Sequence, residues 1–161
     1  MCNVLTEWDE RRLILAQTVA SWSKDKDTAK VGAALADAQG RVIALGYNGS
    51  PWGIEDTSDR FSNNEEKNET ILHAEMNAVL IANRSAQGGT LYVVGKPVCS
   101  RCASVIIQAG ICRVVGEYPC KPTSKWTPSG LRALEMFREA KVKFTPHHVS
   151  VPCADDPSKD A

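Results

Sequence analysis

Four residues in the middle of this chain are of types that bind metal ions or move protons. Cys99 and Cys102 form a C-x-x-C in the segment "KPVCSRC" (96–102), and His73 and Glu75 lie in the segment "HAE". On an ideal α-helix residues i and i+3 lie about 60° apart, so two thiolates at 99 and 102 can bind one ion. The N-terminus of a helix lowers thiol pKa values, which favours metal-bound thiolate. His73 and Glu75 can face one site only if His73 precedes or caps its helix, because they are two positions apart.

These residue types allow a catalytic zinc site. Two Cys and one His give zinc three protein ligands and leave the fourth position to water, as in catalytic sites. Zinc lowers the pKa of water from about 15.7 towards 7, and a neighbouring carboxylate that is not a ligand, here Glu75, can transfer the proton. Two other interpretations of the C-x-x-C stay open. A redox pair leaves His73 and Glu75 unexplained, whereas a structural zinc needs a fourth protein ligand. The candidates for that ligand are Cys112, Cys120, His147, His148 and Cys153.

The composition is that of an ordinary globular protein and excludes several classes of partner. Its 161 residues suit one domain, and 43% of them are hydrophobic. The 19 basic and 19 acidic residues balance, so no overall field attracts a polynucleotide, although one basic pocket would serve a small anionic substrate. No run of 18 apolar residues predicts a membrane span, and the first residues do not resemble a secretory signal. We therefore predict a cytoplasmic protein.

Apolar periodicity and turn residues predict the element order α-β-β-α-β-α-β-α-β. The predicted helices are 6–23, 72–85, 100–110 and 129–140, and the predicted strands are 31–37, 41–48, 90–95, 111–116 and 141–146. The segment 49–69 is predicted to be a polar loop. Helices alternate with strands in the second half, which predicts parallel strands there, joined to an antiparallel opening hairpin. The sequence thus predicts a mixed five-stranded sheet with helices on both faces, whose βα junctions carry the metal-binding residue types.

Longer segments resemble the deoxycytidylate (dCMP) deaminase family. The resemblance covers about residues 8–145 and includes "KVGA", "GYNG" and "HAEMNA", together with the H-x-E and C-x-x-C pair typical of zinc nucleobase deaminases. It implies an α/β protein with the three-layer α/β/α cytidine deaminase-like fold. The catalytic domain is expected to span residues 1–146, and residues 147–161 are expected to form a loose tail.

The resemblance also implies a reaction, the zinc-dependent hydrolysis of dCMP to dUMP and ammonia. This reaction would supply dUMP for dTMP synthesis. Glu75 is the implied catalytic residue: it deprotonates the water, protonates N3 of cytosine and helps ammonia leave. The implied ligands of the single zinc ion are His73, Cys99 and Cys102. The residues implied to contact the substrate are Asn48, Ala74 (through its backbone) and Asn77. Family likeness further implies a homo-oligomer, regulation by dCTP and dTTP, and Mg²⁺ accompanying the regulatory nucleotide.

Three departures from the family pattern bear on substrate choice. Val98 stands between the proline and the first cysteine of "PVC". Gly116 occupies a place after the fourth strand's "VV" where relatives commonly carry an aromatic residue, and Tyr118 is a potential replacement. Trp52 stands in a loop where many relatives carry a basic residue. Alternatives therefore stay open: a deaminase of modified dCMP, cytidine or a guanine-type base, a tRNA adenosine deaminase, or an inactive zinc-stabilised binding module. Deaminases of free cytidine usually carry Cys where His73 stands.

Overall fold

A computed structural model describes residues 5–26, 30–55, 57, 59, 62–120 and 124–147 of the chain. Within these ranges the helices are α1 (Glu7–Ala20), α2 (Asn64–Thr70), α3 (Ala74–Ala82), α4 (Ser100–Gln108) and α5 (Thr127–Glu139). The 3₁₀-helix Asn83–Ala86 continues α3. The strands are β1 (Gly32–Ala36), β2 (Val42–Tyr47), β3 (Thr90–Val94), β4 (Arg113–Glu117) and β5 (Lys143–His147). In the described part of the chain, no helix combines the length and the apolar character needed to cross a bilayer.

The strands form one mixed sheet in the order β2-β1-β3-β4-β5. β1 is antiparallel to both β2 and β3, whereas β3, β4 and β5 run parallel. A tight turn joins β1 and β2, and Gly40 adopts a φ of 81° there, which glycine does without steric cost. The crossovers through α4 and α5 keep the last three strands parallel. The mixed five-stranded sheet predicted from the sequence is confirmed.

Helices cover both faces of the sheet and give the predicted three layers. On one face Ala16 and Ala20 of α1 pack against Ala34 and Ala36 of β1, and these small side chains let helix and strand approach closely. On the other face α3, α4 and α5 bury the larger core, which includes Leu91, Ile106 and Phe137. The apolar residues of the strands alternate between the two cores, as the two-residue period of a strand requires.

One helix and the end of the last strand differ from the sequence-based expectation. Helix α2 lies inside the predicted loop 49–69, and its N-cap Asn63 accepts hydrogen bonds from the backbone of Glu65 and Glu66. Strand β5 ends at His147, a residue that the sequence-based expectation places in the tail, and the His147 ring donates to the Val93 carbonyl oxygen at 2.9 Å. This bond holds the residue against the sheet. The remainder of the predicted tail, residues 148–161, lies outside the described residues.

Candidate metal centre and substrate cavity

The metal-ligand candidates come together at the N-termini of two neighbouring helices. His73 is the N-cap of α3, Cys99 is the N-cap of α4, and Cys102 lies in the first turn of α4. His73 Nδ1 is 3.3 Å from Cys102 Sγ and 3.5 Å from Cys99 Sγ. One ligand atom from each residue lies within 4.8 Å of the others. Tetrahedral zinc bonds of about 2.0–2.3 Å place ligand atoms about 3.5 Å apart, so this set fits one zinc ion.

The protons of this cluster are shared between the thiols and the imidazole. Hydrogen bonding from Cys102 and from His73 lowers the pKa of the Cys99 thiol to about 4, against the opposing effect of burial. The bond to Cys99 and burial raise the pKa of Cys102. The hydrogen bond between His73 and Cys99 raises the pKa of His73, against the opposing effect of burial. A thiolate beside two further donor atoms attracts a divalent cation, which would take the place of the shared protons.

Glu75 stands next to the cluster without belonging to it. Its side chain is 4% exposed and lies in the first turn of α3. Burial raises the pKa of the Glu75 carboxyl, and the charge of His73 opposes that shift. His73 has extended backbone angles as the N-cap, which turns its ring towards the side that Glu75 faces. The arrangement that the i, i+2 spacing requires is thus present.

His73, Cys99 and Glu75 line one cavity of about 290 Å³, and Cys102 lies behind them. This volume is close to the lower limit for small-molecule sites and suits a small substrate. Two carboxylates, Asp25 and Glu75, contribute to its wall. Four lysines also line it, namely Lys26, Lys67, Lys96 and Lys125. The chain as a whole has no net charge, yet this cavity carries an excess of positive charge.

Asn48 follows β2 and forms part of the cavity wall in a fixed orientation. Its Oδ1 accepts from the Val31 backbone N–H at 2.8 Å, and its Nδ2 donates to Asp25 at 3.2 Å. Lys67 of α2 donates to the other oxygen of Asp25 at 3.0 Å. The side chain of Asn48 is 4% exposed. A buried amide held at both ends is preorganised to meet a ligand in one geometry.

The two other predicted substrate contacts have different positions. Ala74 lies in the cavity wall as the first residue of α3, where a backbone N–H has no partner within its own helix. Asn77 is not part of the wall; its side chain donates to the Tyr47 carbonyl oxygen at 3.3 Å. Asn77 therefore joins α3 to the end of β2 instead of facing the cavity.

Most of the residues that depart from the family pattern lie away from the cavity wall. Val98 is 3% exposed and belongs to the core, while Pro97 lines the cavity. Neither Gly116 nor Tyr118 lines it, and a Cβ at Gly116 would contact Phe144 and Val98 at ordinary distances. Trp52 is fully exposed and lies off the cavity wall.

The aromatic residue in the cavity wall is Trp126, which the sequence did not single out. Its ring centroid is 6.2 Å from that of His73, and the two rings meet edge to face at 74°. Asp25, Lys67, Lys96 and Lys125 were missed as well. These four residues lie in polar segments that are far apart in the sequence. No spacing pattern connects them, so only the fold brings them together. Of the residues that were missed, Trp126 alone has a recognisable sequence signal, because it is an aromatic residue in an otherwise polar connection.

The other candidate ligands lie elsewhere. Cys112 is exposed, and its thiol donates to the Gly88 carbonyl oxygen at 3.1 Å. Cys120 is disulfide-bonded. The His147 ring bonds to the Val93 carbonyl oxygen, and His148 and Cys153 lie outside the described residues. Among the residues that are described, the group of metal-competent atoms consists of His73, Cys99 and Cys102 alone.

Comparisons with known proteins match these features. Residues 6–117 match the family model described as the cytidine and deoxycytidylate deaminase zinc-binding region. A protein of Aliivibrio fischeri described as an uncharacterized deaminase is 36% identical over 143 residues, which are 88% of this chain and 95% of that protein. A probable deoxycytidylate deaminase of Drosophila melanogaster is 38% identical over 72% of this chain and 63% of its own length.

Two further comparisons extend this result. The deoxycytidylate deaminase of Mus musculus is 30% identical over 90% of this chain and 84% of its own length. The crystal structure of a dCMP deaminase from the cyanophage S-TIM5 superposes with a TM-score of 0.68 and 22% identity, over 89% of this chain and all of that one. At this identity the superposition establishes a shared fold.

Proposed function

The chain belongs to the cytidine and deoxycytidylate deaminase family, whose zinc-binding region it contains, and we propose that it hydrolyses dCMP to dUMP and ammonia. One observation carries the proposal: two of the three zinc ligands, His73 and Cys99, and the buried Glu75 line a cavity in which lysines outnumber carboxylates. Relatives named deoxycytidylate deaminases support this substrate.

The reaction needs proton transfers that Glu75 is placed to perform. His73, Cys99 and Cys102 would hold the zinc ion, which when bound supplies the Lewis acidity that lets water ionise near neutral pH. Glu75 accepts a proton as the water oxygen bonds to C4 of cytosine, and it delivers that proton to N3. The second proton of the water then passes by way of Glu75 to the amino group at C4. The C4–N bond breaks, ammonia leaves, and the oxygen remains as the C4 carbonyl of dUMP.

Substrate orientation follows from the groups around this carboxylate. The raised pKa of Glu75, caused by burial, favours the protonated carboxyl group that a proton donor to N3 needs. We propose that the fixed Asn48 and the Ala74 backbone contact the nucleotide, which the preorganised amide and the helix N-terminus support. Asn77 we assign to positioning α3 instead. A 5′-phosphate gains from the lysine excess, whereas a neutral nucleoside does not.

Higher-order properties rest on family likeness and one surface feature. We propose a single catalytic domain that assembles into a homo-oligomer and responds to dCTP and dTTP. Leu80 and Ile81 on the outer side of α3 are 65% and 59% exposed and offer apolar surface to a second copy. The cytoplasmic location and the Mg²⁺ bound with an effector stay predictions from the sequence.

Ammonia release from a panel of compounds tests the proposed function. The panel contains dCMP, dCTP, deoxycytidine, a modified dCMP and guanine, each given to zinc-loaded protein. We expect dCMP to be turned over with the highest kcat/KM. A higher kcat/KM on any other member would reassign the substrate, and no ammonia from any member would favour an inactive zinc-stabilised module.

Replacement of Glu75 tests the mechanism within the same assay. We expect Glu75→Ala to keep one zinc per chain and to lose on the order of 10²–10⁴-fold in kcat, the usual contribution of a general acid–base group. Zinc content by elemental analysis separates this outcome from damage to the site. Retention of wild-type kcat in the variant would remove Glu75 from the mechanism.

A further inference from the structure

We propose that Lys96 and Lys125, held against the Trp126 ring, bind the 5′-phosphate of the substrate and so set the preference for a nucleotide over a nucleoside. This inference rests on the proposed deaminase function and assigns the phosphate-binding part of its cavity. The three residues, which we call the lysine–tryptophan wall, come from two separate connections: Lys96 precedes α4, and Lys125 and Trp126 precede α5.

The geometry of the wall places two ammonium groups beside one ring. Lys96 Nζ lies 5.1 Å from the Trp126 ring centroid, and Lys125 Nζ lies 5.3 Å from it. Both distances are within the range of cation–π contacts. The Trp126 ring also contacts His73 edge to face. The indole therefore links the two ammonium groups to the zinc end of the cavity and restricts where they can lie.

The ammonium groups of the wall are not paired directly with a carboxylate. Within the described ranges neither Lys96 nor Lys125 forms an ion pair, whereas Lys67 is paired with Asp25 at 3.0 Å. Burial lowers the pKa of Lys96, and the charges of Lys67 and Lys125 act in the same direction, against the opposing charges of Asp25 and Glu117. Like charges gathered at a half-buried cavity wall cost free energy unless an anion joins them. A phosphate dianion supplies the missing charge.

The lysine–tryptophan wall lies in the same cavity as Glu75 and Cys99, as the two ends of a mononucleotide require. The cytosine ring has to reach Glu75 and Cys99, which are buried. Lys125 is exposed and Lys96 is half-buried, so these two residues form a solvent-accessible part of the cavity wall. A phosphate, which is the most strongly hydrated part of the substrate, stays in contact with water there. The shifted proline of "KPVC" belongs to this part of the cavity as well, because Pro97 and Lys96 both lie in the cavity wall.

Steady-state kinetics with Lys96→Met and Lys125→Met test the proposal. Each change keeps an unbranched apolar chain and removes the charge. We expect KM for dCMP to rise about tenfold or more in each variant, since a charge-assisted hydrogen bond is lost. We also expect kcat/KM for deoxycytidine to change less than twofold. Lys143→Met is the matched control: this exposed lysine lies on β5, off the cavity wall, and its removal should change neither value.

Trp126 is a positioning residue in this proposal, and two variants separate that role from a structural one. Trp126→Phe keeps an aromatic face and should retain most of the preference for dCMP over deoxycytidine. Trp126→Ala should raise KM for dCMP and leave zinc content unchanged. Equal loss with dCMP and deoxycytidine in Trp126→Ala would indicate a structural role and overturn this part of the proposal.

The outcomes distinguish failure of the wall from failure of the function. If wild-type protein prefers dCMP and both lysine variants keep that preference, the wall is overturned while the function stands. If wild-type protein deaminates dCMP and deoxycytidine equally well, the phosphate preference and the wall fail together. If it releases no ammonia from dCMP, the proposed function fails, and calorimetric titration with dUMP and deoxyuridine decides the wall. Tighter binding of dUMP that is lost in Lys96→Met and kept in Lys143→Met supports the wall, and equal binding of the two probes overturns it.

Discussion

His73 and Cys99 share a backbone role that explains how three ligands reach one point. Each is the N-cap of its helix, with extended φ and ψ angles of −69° and 150° for His73 and −83° and 162° for Cys99. A cap residue turns its side chain back over the first turn, where Glu75 and Cys102 lie. The Cys99 sulfur accepts from the Cys102 backbone N–H at 3.5 Å, so one thiol both caps α4 and serves as a ligand.

Removal of either thiol tests the zinc site directly. We expect Cys99→Ala and Cys102→Ala each to lose both bound zinc and ammonia release. The two protein ligands that remain bind the ion too weakly to keep it when the protein is diluted. Cys112→Ala is the control, because that exposed thiol bonds only to backbone carbonyl oxygens. Full zinc occupancy in Cys99→Ala or Cys102→Ala, measured by elemental analysis after gel filtration, would contradict the ligand assignment.

At the residue scale the sequence predicts what local spacing determines. His73, Glu75, Cys99 and Cys102 stand within two short segments, and helix geometry alone limits where their side chains can point. Trp126 could not be found in this way, because its contact with His73 joins the N-caps of α5 and α3, which are far apart in the sequence. The same limit applies to Gly116 and Tyr118: the sequence suggests a role for them in substrate choice, but neither residue lines the cavity.

At the element scale, the close approach of α3 to β2 fixes one half of the metal site. A Cβ at Gly46 would lie 2.3 Å from the Ala74 carbonyl oxygen and 2.7 Å from the Ala78 backbone nitrogen. The N-terminus of α3 therefore touches the strand backbone, and it can do so only while residue 46 lacks a side chain. The other half is fixed by α5, since Ser129 accepts from the Ser100 backbone N–H at 3.0 Å.

Gly46→Ala should consequently damage the site from a distance. We expect a loss of stability of about 1–3 kcal/mol from overpacking. We also expect weaker zinc binding, because α3 must move away from β2 and carries His73 with it. Gly116→Ala is the matched control: its Cβ would meet neighbours no closer than 3.6 Å. Chelator competition measures the zinc affinity, and an unchanged affinity in a destabilised Gly46→Ala would show that α3 is not the element that sets the site.

Helix α2 shows where element prediction from the sequence stops. The helices and strands with an apolar face were all predicted, because that face has to be buried in the core. The segment "NEEKNET" has no apolar period. Its inward side chain is Lys67, which is 8% exposed and is held there by Asp25. A helix whose buried contact is an ion pair with a residue 42 positions away leaves no periodic signal in its own sequence.

At the scale of the whole molecule, one buried carboxylate joins the helix layer to the sheet. Asp9 of α1 is 1% exposed and accepts from Arg113 of β4 at 2.8 and 3.0 Å. It also accepts from the Tyr92 hydroxyl of β3 at 2.9 Å and, through the capping box, from the Thr6 backbone N–H at 2.9 Å. Breaking such a pair by removing one partner costs about 3–5 kcal/mol. Asp9→Asn should therefore lower the free energy of unfolding at pH 7 by about 3 kcal/mol.

The pH dependence of that loss identifies its origin. Burial alone would raise the pKa of Asp9, but the bonds from Arg113, Thr6 and Tyr92 outweigh it and lower the pKa well below its usual value. A carboxylate with a lowered folded-state pKa contributes its full stability above its unfolded pKa of about 3.9, and the contribution falls as the pH drops further towards the folded-state pKa. The stability difference between wild type and Asp9→Asn should thus be constant from pH 7 to about 5 and shrink below pH 4. Urea unfolding across this range measures it, with Glu139→Gln on the exposed side of α5 as the control. A difference that stayed constant to pH 2 would mean that packing around Asp9, and not its charge, joins the two layers.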